Sequence, residues 1–376
     1  MNKYDHELFK IKHYSVHPEM KPFIGKHYDK FKLLLVGESH YIGEVIDLSQ
    51  EEIKEWYDNE ALKLPKFKEY YKKGWFNTRD VLNNYLDLKR SKAHSMFKNP
   101  SDVLVEVMNA EPSGKYHIND CDAMNCMTFM NYFQRPATKK GKSIESSEAD
   151  CNVAAETFNE VVKVLKPNKI IFASKKAYNA FANKFQEDKA LLDKVVCLAH
   201  PTTKYWWGED GRAKMLAEIT EYIDVNRKGF LAYLEGEHKK RINLMKDVFK
   251  NVSEKLSALE LKVDSTEIDR LCEAYYSRES ECLPRIESKI EIGGSVKYLY
   301  VEVWDNLWCY ISDKKIKSDE KAKRIKTWIY LPEENGRLNF RGYTERMSDI
   351  IEDEDIRKNV MNKIVQSLCE FIDKNQ

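Results

Sequence analysis

Apolar positions change their spacing several times along this 376-residue chain. From Phe31 to Val36 they are almost continuous, the pattern of a strand covered on both faces, and the run stops at Gly37. Ser49 followed by Glu52 forms a capping box and predicts a helix to about Glu60, with further helices at about 78–89 and 91–98. Asp122 to Gln134 mixes Met, Cys, Phe and Tyr and reads equally as strand or buried helix. Ala154, Phe158, Val161, Val162 and Leu165 then share one helical face, which Pro167 stops. Lys169–Ala173 predicts a strand, Ser174–Phe185 a helix and Val195–Ala199 another strand, ending on His200-Pro201. This alternation implies parallel strands joined by helical crossovers. In the opening thirty residues Pro18 and Pro22 break any long element.

After Gly229 the pattern changes. Ile242, Met245, Phe249, Val252, Leu256 and Leu259 recur at heptad-like intervals and predict one long helix from about Phe230 to Leu261. Its apolar stripe at 242–259 either packs on its own chain or pairs with a second copy as a homodimer. Lys297–Ile311 is strand-rich around Asp305-Asn306, Thr327–Leu331 is a further candidate strand, and 349–373 reads as helical. The chain therefore divides into an α/β domain at 1–228, a long amphipathic helix at 229–262 and a smaller α+β domain at 263–376.

Composition narrows the picture. With 42% hydrophobic and 33% charged residues the chain has enough apolar surface for folded cores. A formal charge of +1, nearly balanced on both sides of Phe230, excludes a domain-wide basic field, so any phosphate-binding surface is a local patch. The eight cysteines are scattered with no pair two residues apart, which predicts reduced thiols and no cysteine-bound metal or cluster. No stretch approaches 18 consecutive apolar residues, and the N-terminus carries no apolar signal core. The expectation is a cytoplasmic protein without membrane partners, cofactor or metal.

The candidate chemistry lies where strands end, since ligands of open α/β sheets bind beyond the strands' carboxyl ends. Gly37 allows a backbone approach that a side chain would obstruct, and Glu38, Ser39, His40 and Tyr41 supply a carboxylate, a hydroxyl, an imidazole and a ring. His200, Pro201 and Thr202 close the later strand, followed by Lys204 and three consecutive aromatics, Tyr205, Trp206 and Trp207. Three adjacent rings do not fit one buried face, so the loop either wedges against nucleic acid or locks itself on the following helix. Between these loops, Asn131 offers a donor and an acceptor to one base edge, and Arg135 can meet a phosphate or pair with an acid.

A strand ending in Gly-Glu, an Asn shortly before Arg-Pro, and a strand ending in His-Pro-Thr together resemble the motif set of the uracil-DNA glycosylase superfamily, particularly its bacterial branches. The resemblance covers about 30–225 and leaves 230–376 unexplained. It implies a three-layer α/β/α fold with a mostly parallel sheet, DNA as partner, single-stranded or carrying a modified base, and hydrolysis of an N-glycosidic bond to a uracil-like or damaged base. By resemblance the Gly37–Tyr41 loop handles the water, Asn131 reads the base, and His200 stabilises the oxygen that gains charge. The first motif departs from the family, with Ser39 and His40 where many relatives have Pro and an Asp or Asn. Either Glu38 or His40 then serves as the base, or the domain binds a nucleotide or nucleic acid without cleaving it, with the C-terminal domain as effector. Metal-dependent nucleotide hydrolysis has less support, because no compact set of carboxylates stands out.

Overall fold

The computed structural model describes residues 2–40, 49–58, 76–86, 94–110, 118–137, 142–258, 285–292, 294–303 and 307–312, with single helical residues between 355 and 366. It contains two compact units, one formed by 1–114 with 118–230 and the other by 115–117 with 231–376.

The first unit is a mixed α/β fold built on a five-stranded sheet. Its strands are β1 (Phe23–Ile24), β2 (Leu33–Gly37), β3 (Met127–Asn131), β4 (Lys169–Phe172) and β5 (Val195–Cys197), in the order β1-β3-β2-β4-β5. All neighbours are parallel except β1, which runs antiparallel to β3. Every residue of β2 and β3 is buried, which accounts for the unbroken apolar run before Gly37. Leu34, Val36, Met130, Ile170 and Phe172 pack with Ala154, Phe158, Val161 and Leu165 of the Glu148–Leu165 helix and with Ala177 and Phe181 of the Lys175–Phe185 helix. On the alternate face Phe129 meets Phe97 of the Ser95–Met108 helix edge-on at 5.0 Å.

The capping box at Ser49–Glu52 forms with both hydrogen bonds present, on a helix spanning Gln50–Tyr57. Asp122–Gln134 is neither all strand nor all helix: a second capping box at Asn119–Asp122 starts the Asp120–Asn125 helix, and β3 follows after one residue. The helix expected at 91–98 instead runs from Ser95 to Met108. Pro100 lies in its second turn, where the burial of Phe97, Val103, Leu104 and Val107 offsets the lost backbone hydrogen bond. The opening segment also holds the short strand β1, which its proline punctuation concealed.

A single helix spans Arg227–Ala258. Near its start Phe230 stacks on Phe31 with ring centroids 4.5 Å apart. What the 242–259 stripe packs against lies outside the described side chains. The second unit contains a three-stranded antiparallel sheet of β6 (Arg285–Ile292), β7 (Ser295–Val303) and β8 (Leu307–Ser312). Strands β7 and β8 occupy the strand-rich stretch of the sequence, whereas β6, on which Ile286, Ile290 and Ile292 alternate with charged residues, was not among the expected strands. The candidate strand at 327–331 lies outside the described residues, as does most of the helix expected at 349–373. Among the described residues no helix is long and apolar enough to cross a membrane.

Candidate functional site

The order of the parallel strands creates a switch point. Strand β2 is the first of the parallel strands, and its connection runs to β3 on one side while that of the neighbouring β4 runs to β5 on the other, so a crevice opens at the carboxyl ends of β2 and β4. Gly37, Glu38, Ser39 and His40 emerge there, Asn131 ends the neighbouring β3, Ser174 follows β4 and His200 follows β5. Parallel pairing therefore puts Gly37, Asn131 and His200 at one edge of the sheet.

Gly37 faces Asn131 across the β2–β3 ladder. A Cβ on Gly37 would lie 2.5 Å from Asn131 Oδ1 and 2.9 Å from the Phe129 ring. Its φ is not positive, so the glycine serves close approach and not an unusual backbone conformation. The carboxamide thus lies over bare backbone. Asn131 is only 9% exposed, yet its side chain makes no hydrogen bond among the described residues. Its polar atoms are not sealed from solvent, so the edge of a ligand can replace water there.

Glu38 points elsewhere. Its Oε2 accepts from Ser174 Oγ at 2.8 Å and from Ser143 Oγ at 3.2 Å, and its Oε1 accepts from the Ile144 N–H at 3.0 Å. The buried carboxylate therefore ties the ends of β2 and β4 to the loop before the Glu148–Leu165 helix. Ser174 also caps the Lys175–Phe185 helix by accepting from Ala177 N. Ser143, Ile144 and Ser174 carried no signal as site residues in the sequence beyond the position of Ser174 after a strand. Three donors occupy most of the carboxylate's acceptor positions and fix its orientation.

His40 is buried and turned away from Glu38, with Nε2 3.2 Å from Thr78 Oγ1, whose hydroxyl donates to Met20 O. Beside it, burial and the charges of His17 and His40 hold His13 well below its usual 6.5. Glu38 and His40 are thus both held by neighbours, Glu38 by three donors and His40 against Thr78. Ser39 Oγ is enclosed without a hydrogen-bond partner. Tyr41, and with it any stacking role, lies outside the described residues.

His200 is half-buried, and its tautomer follows from its neighbours. The Thr202 N–H donates to Nδ1 at 3.3 Å, and Thr202 Oγ1 lies 2.9 Å from the same atom. Nδ1 is thus an acceptor and the ring hydrogen resides on Nε2. Burial lowers the imidazole's pKa below 6.5, opposed by the negative charge of Glu38. Pro201 is buried and its carbonyl accepts from Asn99 Nδ2 at 2.7 Å, which pins the loop to the Ser95–Met108 helix. The result is a neutral, oriented N–H donor at the sheet edge.

Two residues assigned to nucleic-acid contact turn inward. Arg135 is 1% exposed: its Nε and Nη2 donate to the two Asp150 oxygens at 2.6 and 2.8 Å, Nη2 also donates to the Glu145 carbonyl and Nη1 to the Pro136 carbonyl. It is a buried tie between the β3 loop and a helix start, with most of its donors spent inside the fold. Trp206 is 0% exposed, and its backbone packs against Gly211 where a Cβ would come within 2.2 Å. Its neighbours face solvent, Tyr205 at 67% and Trp207 at 70% exposure, with Lys204 Nζ 5.3 Å from the Tyr205 ring centroid. A buried indole thus anchors a short turn, Lys204–Trp207, that displays two rings and a cation.

Among the described residues no group of three or more His, Cys, Asp or Glu side chains could hold a metal. Comparison of the chain with family models, with curated proteins and with solved structures finds no match.

Proposed function

We propose that the first unit binds a nucleobase at the carboxyl edge of its sheet and hydrolyses the N-glycosidic bond that joins the base to DNA, as the resemblance to the uracil-DNA glycosylase superfamily implies. The observation that carries the reading is the Asn131 carboxamide, nearly buried over Gly37 with both its donor and its acceptor unused. A nucleobase edge offers the complementary pair. In the reaction the C1′–N bond breaks, the base leaves with the bonding electrons, and water adds to C1′ while its proton passes to solvent. His200 donates its Nε2–H to the base as negative charge develops, which favours the transition state over the bound substrate. The Glu38 carboxylate, oriented by three donors, favours the positive charge that develops on the sugar. Tyr205 and Trp207 stack on flanking bases of a single strand.

A second reading, a module that binds a nucleobase or nucleic acid without cleaving it, draws on the same geometry. Most of the acceptor capacity of Glu38 is engaged by three donors and His40 contacts Thr78, so both groups are committed in part to holding the fold. An excision assay across uracil, hypoxanthine, alkylated and undamaged bases, in single and double strands, separates the two. The enzyme reading expects release that His200→Ala slows far more than it weakens binding. Binding with no release from any substrate selects the module, and neither binding nor release removes both.

A further inference from the structure

Lys21 is 7% exposed, yet its ammonium has neither a hydrogen bond nor an ion pair among the described residues. Its one close partner is the ring of Phe9, 3.2 Å from Nζ to centroid. The nearby carboxylate of Asp5 is already engaged, accepting from Arg79 Nη2 at 2.6 Å and from the Asn2 N–H at 2.8 Å. Arg79 Nε donates to the Pro22 carbonyl at 2.9 Å, next to Lys21, while its Nη1 has no acceptor among the described residues. Arg79 thus holds the carboxylate, and Lys21 feels it only at longer range. Burial and the Arg79 charge both lower the Lys21 pKa, with Asp5 opposing them, as an incompletely compensated positive charge requires. Nζ is not fully enclosed, so an incoming group can reach it.

The position of this charge gives it meaning. Strand β1 is antiparallel to β3, with Phe23 opposite Phe129. The start of β1, two residues before Phe23, thus lies at the same sheet edge as Asn131, two residues after Phe129. Neighbouring strands are about 4.8 Å apart, so Lys21 stands roughly one strand from the base-reading position. We infer that Lys21, with Arg79 behind it, forms an anion subsite on the β1 flank of the sheet edge and takes a phosphate group. The chemistry suits a largely buried ammonium point charge that lacks a partner anion, and the link to a nucleotide rests on the nucleobase reading of Asn131.

The test titrates inorganic phosphate into the full chain and into Lys21→Met, which keeps the apolar stem, and Lys21→Arg, which keeps the charge. The expected result is binding that weakens about tenfold or more in Lys21→Met, the loss of one charge-assisted contact, and persists in Lys21→Arg. Without phosphate, Lys21→Met should melt at or above the parent temperature, because it removes a desolvated charge. No phosphate binding, or equal binding by the parent and Lys21→Met, overturns the subsite. A second arm compares deoxyuridine with its 5′-phosphate. A preference for the nucleotide that Lys21→Met abolishes supports a phosphate delivered with the base. Equal binding of the two, with phosphate alone still dependent on Lys21, supports the subsite and refutes its link to the crevice. Phosphate binding without either nucleoside or nucleotide binding supports the subsite and defeats the nucleobase reading.

Discussion

Asn131 Oδ1 would lie 2.5 Å from a Cβ placed on Gly37, its partner across the β2–β3 ladder. The ladder thus gives up one side chain so that another can lie across the sheet edge. Gly37→Ala should displace the carboxamide and the Phe129 ring and destabilise the fold by about 1–3 kcal/mol through overpacking. Asn131→Ala breaks no internal hydrogen bond and should change stability much less while abolishing base binding. Urea unfolding and nucleobase titration of both variants check this. Undiminished base binding by Gly37→Ala would refute the argument.

His200 should titrate below 6.5, because burial disfavours its charged form and protonation must displace the Thr202 N–H from Nδ1. Glu38 opposes that shift, so Glu38→Gln should move the midpoint further down. Imidazole NMR of the parent and the variant measures both. A His200 midpoint above 6.5, or an upward move in Glu38→Gln, contradicts the assignment of a neutral donor.

The two tryptophans of the Lys204–Trp207 turn should separate cleanly. Trp206→Ala empties a fully buried site and should cost about 3–5 kcal/mol. Trp207→Ala removes an exposed ring and should leave stability within about 0.5 kcal/mol. If the turn stacks on single-stranded DNA, Trp207→Ala and Tyr205→Ala should each lose about 1–3 kcal/mol of binding. Thermal melts and an oligonucleotide titration at fixed salt decide the matter, and unchanged affinity in both surface variants would leave the turn without a nucleic-acid role.

Arg135→Met leaves Asp150 buried without its cation and should cost about 3–5 kcal/mol, without changing how DNA binding depends on salt. The same pair sets an acid limit. Burial alone would raise the Asp150 pKa, but the Arg135 hydrogen bonds and charge, the Tyr57 hydroxyl and the Ser147 N–H together hold it below 3.8. The unfolded chain therefore binds the proton first as pH falls. The contribution is fully present above about pH 4 and disappears as pH drops through the folded value. Denaturant unfolding between pH 7 and pH 3 should show this loss in the parent and a flatter profile in Asp150→Asn.

The elements of the first unit were legible in the sequence where one local signal sufficed. Continuous burial wrote the run into Gly37, periodicity wrote the face from Ala154 to Leu165, and capping chemistry wrote the helix start at Ser49. Where a residue's role depends on a distant partner, the sequence left it open. Arg135 could meet a phosphate or an acid until the fold placed it against Asp150, fifteen residues on. Glu38 and His40 are near neighbours in the chain, but one is bound by Ser143, Ile144 and Ser174 and the other turns to Thr78. Three consecutive rings required at least one to escape a common buried face, and only the folded structure determined that Trp206 is the one that goes inside. Nothing in the sequence distinguishes Lys21 from the other lysines of the opening segment, because its neighbours Phe9, Asp5 and Arg79 come from other elements. Periodicity and capping act within a few residues and survive in one dimension. Desolvation, hydrogen-bond saturation and the meeting of strand ends arise between segments far apart in the chain, so only the tertiary structure could decide them.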